Sequence, residues 1–288
     1  MNSLLVSVII PVYNRADILS RAISSVVKQT YENFELIIVD DCSTDNTEAV
    51  VRAFKDNRII YIRHPQNKGA AAARNTGMSK AQGELLAFLD SDDEFLPEKL
   101  EKQVEVFKEL PEDTGLILTN MRVLGKHKRF FVSEQITSGY LLSSSSFPAS
   151  IFLPPSTWML RKNCIVQVGQ FDEMIFGIED ADYFTRILQK FRVYFLNQAL
   201  SIKHISVRAQ KRQFSSKYFC GKEHFLKKHF ESIRRDRKYL SRFYYGIGKD
   251  FLSWDDAKKA RYYFLKAFAA YPKFSHLFKY IKCYIKSE

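Results

Sequence analysis

In the stretch Gly83-Glu84-Leu85-Leu86-Ala87-Phe88-Leu89-Asp90-Ser91-Asp92-Asp93, five consecutive apolar residues give way to three carboxylates in four positions. An apolar run this short, with no alternation, reads as a strand buried on both faces. Asp90 and Asp92, one residue apart on the turn leaving that strand, can grip a divalent cation and the hydroxyls of a sugar. Their hard oxygens suit Mg²⁺ or Mn²⁺. The competing reading is that Ser91 or Asp93 caps a short helix before Pro97.

The pattern repeats upstream. Val6–Ile10 is a short apolar run ended by Pro11, which fits a buried strand, and Phe34–Val39 is a second strand ended by Asp40-Asp41. Ile59–Ile62 is a third strand and Leu85–Leu89 a fourth. Helical periods fill the gaps at Asp17–Gln29, Thr44–Phe54 (with Ser43 or Asp41 as cap), the alanine-rich Gly69–Gln82, and Pro97–Leu110. Four such β-α units predict an α/β fold with a parallel sheet covered on both faces. Ligands of such sheets sit beyond the carboxyl ends of the strands. Topology alone therefore gathers Tyr13-Asn14-Arg15, Asp40-Asp41 and Asp90-Ser91-Asp92 at one rim. Farther on, Leu116–Val123 and Trp158–Arg161 read as strands, Ser143–Pro148 as a loop, Asp180–Phe191 as a helix and Val193–His204 as extended.

Each polar cluster has a chemical reading and a plain one. Asp40 can accept hydrogen bonds from a nucleobase or ribose, or cap the next helix. Arg74, one turn into a helix whose N-terminus offers N–H groups to anions, can reach a phosphate, or be solvated. Glu179, Asp180 and Asp182 open a helix whose dipole favours acids, yet three in four residues repel unless one is used. A base for an acceptor hydroxyl must be a carboxylate or a histidine. His204 is a candidate ligand for a metal or a diphosphate.

The segments Val6 to Asn14, Leu36 to Asp45, Asn67-Lys68-Gly69 through Gly77, Gly83 to Asp93, Gly169-Gln170-Phe171-Asp172, and Glu179-Asp180-x-Asp182 come in that order. Together they resemble the family-2 inverting glycosyltransferases with the GT-A fold, over roughly residues 4–205. The resemblance implies a GT-A (Rossmann-like), mostly parallel central sheet flanked by helices. It also implies transfer of a sugar from a nucleotide-diphosphate donor, most often a UDP-sugar, to a glycan or lipid-linked hydroxyl, in bacterial surface polysaccharide or lipopolysaccharide synthesis. By the same resemblance Pro11, Val12, Tyr13, Asn14 and Asp40 hold the nucleotide, and Arg74 the base or phosphates. Asp90 and Ser91 contact the ribose or donor sugar, Asp92 binds the metal with His204 near it, and Asp180 is the catalytic base. Gln170 stands where a second glycine is usual, and Ala181 where an aromatic is frequent. A lid over Val207–Phe214, offering Arg208, Lys211 or Arg212 to the diphosphate, is an expectation of its own.

Residues 1–207 are read as this catalytic domain and 208–288 as a C-terminal helical extension. The first region carries a net charge of −2 and the second +14, with 20 of the 41 aromatics in the second. Helices are expected after Ser253-x-x-Asp256, with Ala257, Ala260, Phe264, Phe268 and Tyr271 on one face. Another is expected at Ser275–Ile285, with Leu277, Ile281 and Tyr284 on one side and Lys279, Lys282 and Lys286 available to solvent. Such a basic, aromatic region suits an anionic membrane surface or packing on a core. No recognition motif points to nucleic acid. Scattered cysteines, no basic leader before the first strand and no long apolar run suggest a cytoplasmic protein, peripheral on the cytoplasmic face of the membrane. A nucleotidyltransferase-like activity would want a glycine-rich loop after the first strand, which Pro11–Arg15 lacks. An inactive sugar-binding module would have no need of Asp92 and Asp180.

Overall fold

The computed structural model describes residues 3–124, 129–131, 137–141, 153–205 and 216–285. The described residues fall into two compact units, one from residues 3–141, 153–173 and 179–205, the other from 174–178 and 216–285. The expected loop at Ser143–Pro148, the expected lid at Val207–Phe214 and the 207/208 boundary lie outside the described residues.

In the first unit, β1 (Val6–Val12), α1 (Leu19–Val27), β2 (Phe34–Asp40), α2 (Thr47–Arg52), β3 (Ile59–Arg63), α3 (Ala70–Lys80) and β4 (Leu85–Phe88) alternate as the sequence pattern requires. They continue into β5 (Glu94–Phe95), α4 (Lys99–Glu109), β6 (Thr114–Leu124), β7 (Arg129–Phe131) and β8 (Gly139–Leu141). β9 (Trp158–Arg161), α5 (Cys164–Val168), α6 (Glu179–Leu188) and β10 (Arg192–His204) complete the unit. The sheet order is β3-β2-β1-β4-β9-β6-β10-β5, with β7 on β6 and β8 on β10. The first four strands are parallel, β9 is antiparallel to both neighbours, and β6 and β10 run parallel. This is the α/β fold with a large sheet flanked by helices.

The residues explain the pairing. Val6, Val8, Ile10 and Val12 of β1 share one buried cluster with Leu19, Ala22, Ile23 and Val26 of α1. Ile9 points to the other face, where Gly77 lets α3 approach: a Cβ there would lie 2.5 Å from Ile9 Cγ2. Pro11 does not end β1 as expected; it pairs with Val39. The Val12 carbonyl accepts from Asp41 on the β2 side, and the Ile9 carbonyl from Leu89 on the β4 side. The donor that Pro11 lacks would therefore point to β4, whose pairing ends at Ile9 opposite Phe88. The ladder stops where the proline stops it, and β4 turns away into Asp90. α2 is shorter than expected, and neither Ser43 nor Asp41 caps it: Ser43 Oγ accepts from the Asn14 N–H, and Asp41 accepts from Lys68 and Gly69.

The second unit contains α7 (Ser216–Ile233), α8 (Arg237–Ser253), α9 (Ala257–Ala270) and α10 (Phe274–Ile285). The cap of α9 is Asp256, which accepts from the Lys259 N–H at 2.9 Å, and not Ser253 of the expected Ser253-x-x-Asp256 box: Ser253 ends α8, where its hydroxyl donates to the Lys249 carbonyl. Much of the aromatic excess is core: Phe219 stacks on Phe251, and Phe251 on Tyr263. The buried face of α9 is Ala260, Tyr263, Phe264 and Ala267. Tyr271, expected on that face, is exposed, because the helix ends at Ala270 and the backbone there turns extended. On α10 the apolar side is the one turned to solvent. Leu277 and Ile281 are exposed, and the buried residue is His276, against Ser241 and Tyr245. The Tyr284 side chain lies outside the described residues. No described helix is long and apolar enough to cross a membrane.

Candidate functional site

The carboxyl ends of β1, β2 and β4 and the start of α3 meet at one rim. At its base Asp40, buried, accepts from the Ser43 N–H at 2.8 Å and from the Tyr61 hydroxyl at 2.5 Å. Burial and then the Asp40 carboxylate push the Tyr61 phenol well above its ordinary value, so it stays a donor. Asp41, also buried, accepts from the Lys68 and Gly69 N–H groups and pairs with His64 at 2.8 Å. It holds the turn in which Gly69 takes φ 93°, the entry to α3. Asn14, at φ 50°, accepts from the Thr44 N–H and locks the β1 loop to the β2 loop. Pro11 and Val12 are buried in β1, while Tyr13 stands 46 % exposed at the rim.

Arg74 is not at the solvent edge. It is buried, and its two terminal nitrogens donate to Glu179 at 2.8 Å and to Asp90 at 2.9 Å. Its ring neighbour is Phe171, 5.5 Å away. The guanidinium fork thus ties α3 to α6 across 105 residues of chain and joins both to the turn after β4. Its Nε has no hydrogen-bond partner among the described residues.

The three acids that open α6 now divide. Glu179 pairs with Arg74, and Asp182, fully buried, pairs with Arg186, which also donates to the carbonyls of Val168 and Gln170. Asp180 accepts only from the neighbouring Ala181 N–H among the described residues. Burial, then Glu179, push its carboxyl up to about 7, against the pull of Arg74. The acid left without an arginine is therefore poised to exchange a proton near neutrality.

Across the rim, the Asp92 carboxylate has no hydrogen-bond or ion-pair partner among the described residues; its main-chain carbonyl accepts from Arg21 at 2.7 Å. Ser91 is buried beside it. Asp93 is fully buried, accepts from Ser156 at 2.8 Å and leaves Oδ1 without a partner among the described residues. Burial, then Asp90, push it up to about 7. Lys203 on β10 lies 3.9 Å from Asp93. Burial would lower its ammonium, but Asp93, Asp90, Asp92 and Asp180 together outweigh burial and hold it above its ordinary value. His204 donates Nε2–H to Glu94 at 2.5 Å, and Arg21 lies 3.2 Å from the same carboxylate.

Asp92 presents a free hard-oxygen ligand, and His204, oriented through Nε2, leaves Nδ1. No three His, Cys, Asp or Glu residues among those described form a ready cation cage. A cation held by Asp92 and His204 alone would need substrate phosphates and water to complete its shell. Glu94, Arg21, Ser156 and Lys203 carry no motif in the sequence that marks them as site residues, and Glu179 is marked only as one of three acids opening a helix. Their partners lie tens of residues away; the one local hint was Lys203 beside His204 at the end of an extended segment.

Residues 7–168 match the family model described as Glycosyl transferase family 2. The putative colanic acid biosynthesis glycosyl transferase WcaA of Escherichia coli K12 is 31 % identical over 277 residues, which are 88 % of this chain and 91 % of that protein. An Escherichia coli UDP-Glc:alpha-D-GlcNAc-diphosphoundecaprenol beta-1,3-glucosyltransferase, WfgD, is 40 % identical over 147 residues, 50 % of this chain and 57 % of that protein. Among solved structures, S. aureus TarS 1–349 in complex with UDP is similar with a TM-score of 0.63 at 20 % identity, covering 99 % of this chain and 92 % of that one. The mannosyltransferase PcManGT from Pyrobaculum calidifontis, in complex with GDP-Man and Mn²⁺, gives 0.56 at 18 % identity, covering 92 % and 73 %.

Proposed function

Because the chain belongs to glycosyl transferase family 2, we propose that it moves a sugar from a nucleoside-diphosphate donor to an acceptor hydroxyl with inversion at the anomeric carbon. The observation that carries this reading is the division of acids on α6, where two are neutralised by arginines and Asp180 is not. In the proposed reaction the acceptor oxygen attacks the anomeric carbon in line with the departing diphosphate. Asp180 takes the acceptor proton, the new carbon–oxygen bond forms, and the bond to the diphosphate breaks with its electrons. A divalent cation, Mn²⁺ or Mg²⁺, supplies charge neutralisation to the diphosphate when bound. Asp92 would hold it, with His204 beside it.

Pro11, Val12, Tyr13 and Asn14 frame the nucleotide in this reading, and Asp40 sets the depth of its pocket. Asp90 and Ser91 meet the ribose or sugar. Arg74 is spent on Asp90 and Glu179, so its role is to position Asp90 rather than to grip the base or phosphates. Lys203, drawn into the acidic cluster, is suited to follow the charge onto the leaving diphosphate.

A UDP-sugar donor is favoured by the WfgD relative, which by its name uses UDP-Glc, and by the TarS fragment, whose fold holds UDP and UDP-GlcNAc. A lipid-linked or glycan acceptor is favoured by the name of WfgD, and a place in bacterial surface polysaccharide synthesis by that of WcaA; work at the cytoplasmic face of the membrane is part of the same proposal. The 1–207 and 208–288 division is kept as the proposed catalytic region and its helical extension. The test is UDP release from a panel of UDP-sugars with Mn²⁺ and lipid-linked acceptors. Wild-type protein should turn over one of them and Asp180→Asn should lose at least about a hundredfold. Equal turnover by the variant would remove Asp180 from the reaction.

A further inference from the structure

The helical unit ends in a surface of unusual make-up. From Ala257 to Ser287 the chain has eight lysines and arginines and no acidic residue. Within it α10 exposes Phe274 at 82 %, Phe278 at 54 %, Ile281 at 48 % and Leu277 at 36 %. At about 100° per residue these four positions fall within an arc of about 100° on one side of the helix. The one buried side chain of its described part, His276, lies on the opposite side. Lys273, exposed just before the helix, lies beside one edge of the arc. The apolar residues are thus not a misplaced core; the core side of α10 is already satisfied through His276, Ser241 and Tyr245.

We propose that the α10 face is a membrane-docking surface that lies in the interface of an anionic bilayer, with Phe274, Leu277, Phe278 and Ile281 entering the acyl boundary. Two observations choose a lipid surface as the occupant. The stretch from Ala257 to Ser287 that carries the apolar arc has eight lysines and arginines and no carboxylate, which is complementary to anionic headgroups. At 12 residues the helix is too short to span a bilayer but long enough to lie along one. α9 adds exposed Lys258 and Lys259, with Tyr262 and Leu265 also exposed. The purpose assigned to this surface, bringing the enzyme to a lipid-linked acceptor, rests on the function proposed above; the docking itself does not.

The full chain is mixed with vesicles of phosphatidylcholine alone or with about one third phosphatidylglycerol, and bound protein is measured by flotation. Binding is expected on the anionic vesicles only and should weaken as salt rises. Phe274→Ser/Phe278→Ser should reduce it at least about tenfold, while Val166→Ser, an exposed apolar residue elsewhere, should not. Circular dichroism and UDP titration on the same samples show whether the variants remain folded and whether the nucleotide site is intact. No binding to anionic vesicles at low salt overturns the proposal. Binding unaffected by the double substitution overturns the assignment to this face. A wild-type dimer that the double substitution dissociates, without vesicle binding, assigns the face to a second copy and also overturns it. Failure of vesicle binding with UDP binding retained sinks only this inference; failure of UDP binding with vesicle binding retained sinks only the proposed function.

Discussion

Replacing Arg74 with alanine should destabilise the catalytic unit and shift its pH response together. The guanidinium is buried and bridges Asp90 and Glu179 at 2.9 and 2.8 Å. Its removal leaves two carboxylates beside Asp180 with no cation between them. Breaking a buried pair by deleting one partner costs about 3–5 kcal/mol. The Asp90 side chain is 25 % exposed and regains some water, so the lower end, about 3 kcal/mol, applies. At about 2–4 °C per kcal/mol for a domain of this size, the Tm should fall by about 6–12 °C. Arg74 is also the cation that pulls the Asp180 carboxyl down, so the acid limb of the rate profile should move to higher pH in the variant. Arg74→Lys keeps the charge but not the fork, and should fall between the two. Scanning calorimetry and a pH series of turnover read both effects. A Tm within about 2 °C of wild type would show that the clamp carries little of the stability assigned to it here.

In the wild type, the base must be ionised, and burial holds Asp180 up to about 7. Turnover should therefore rise with pH through a midpoint near neutrality, and a limb near the ordinary carboxylate value of about 4 would contradict the assignment. Glu94→Ala frees the Nε2 side of His204 and should weaken Mn²⁺-dependent UDP binding by about tenfold or more in calorimetry. Unchanged affinity would mean that the orientation of His204 is irrelevant to the nucleotide site. Gly77→Ala drives a methyl to 2.5 Å from Ile9 Cγ2 and should cost about 1–3 kcal/mol in denaturant unfolding; a neutral result would show that α3 can back away from β1.

What the sequence made legible follows from how local each signal is. β1, β2 and β4 are short, almost wholly apolar strands (β1 is broken by Ser7 and β2 by Glu35) because both their faces are covered, and a pattern of that kind needs no partner to be recognised. The rim followed from topology. β5 was missed because two residues carry no period. The extra turn read into α2 failed because Asp41 and Ser43, good caps by type, are spent on the α3 entry and the β1 loop. Site residues were legible as types but not as partners. Arg74 and Glu179 are 105 residues apart and His204 and Glu94 are 110 apart, so only the fold could show which acids are neutralised and which is free. On α10 the apolar spacing was read correctly, but periodicity does not say which way an amphipathic helix faces, and a lone histidine on the other side proved to be the buried residue.

Asp92 is proposed to complete the nucleotide site with a divalent cation. The most direct test is calorimetric titration of UDP, with and without Mn²⁺, into wild-type protein and Asp92→Ala. UDP binding that Mn²⁺ strengthens in the wild type and no longer strengthens in the variant is the predicted result. Binding that is indifferent to Mn²⁺, or equal in the two proteins, would contradict the account.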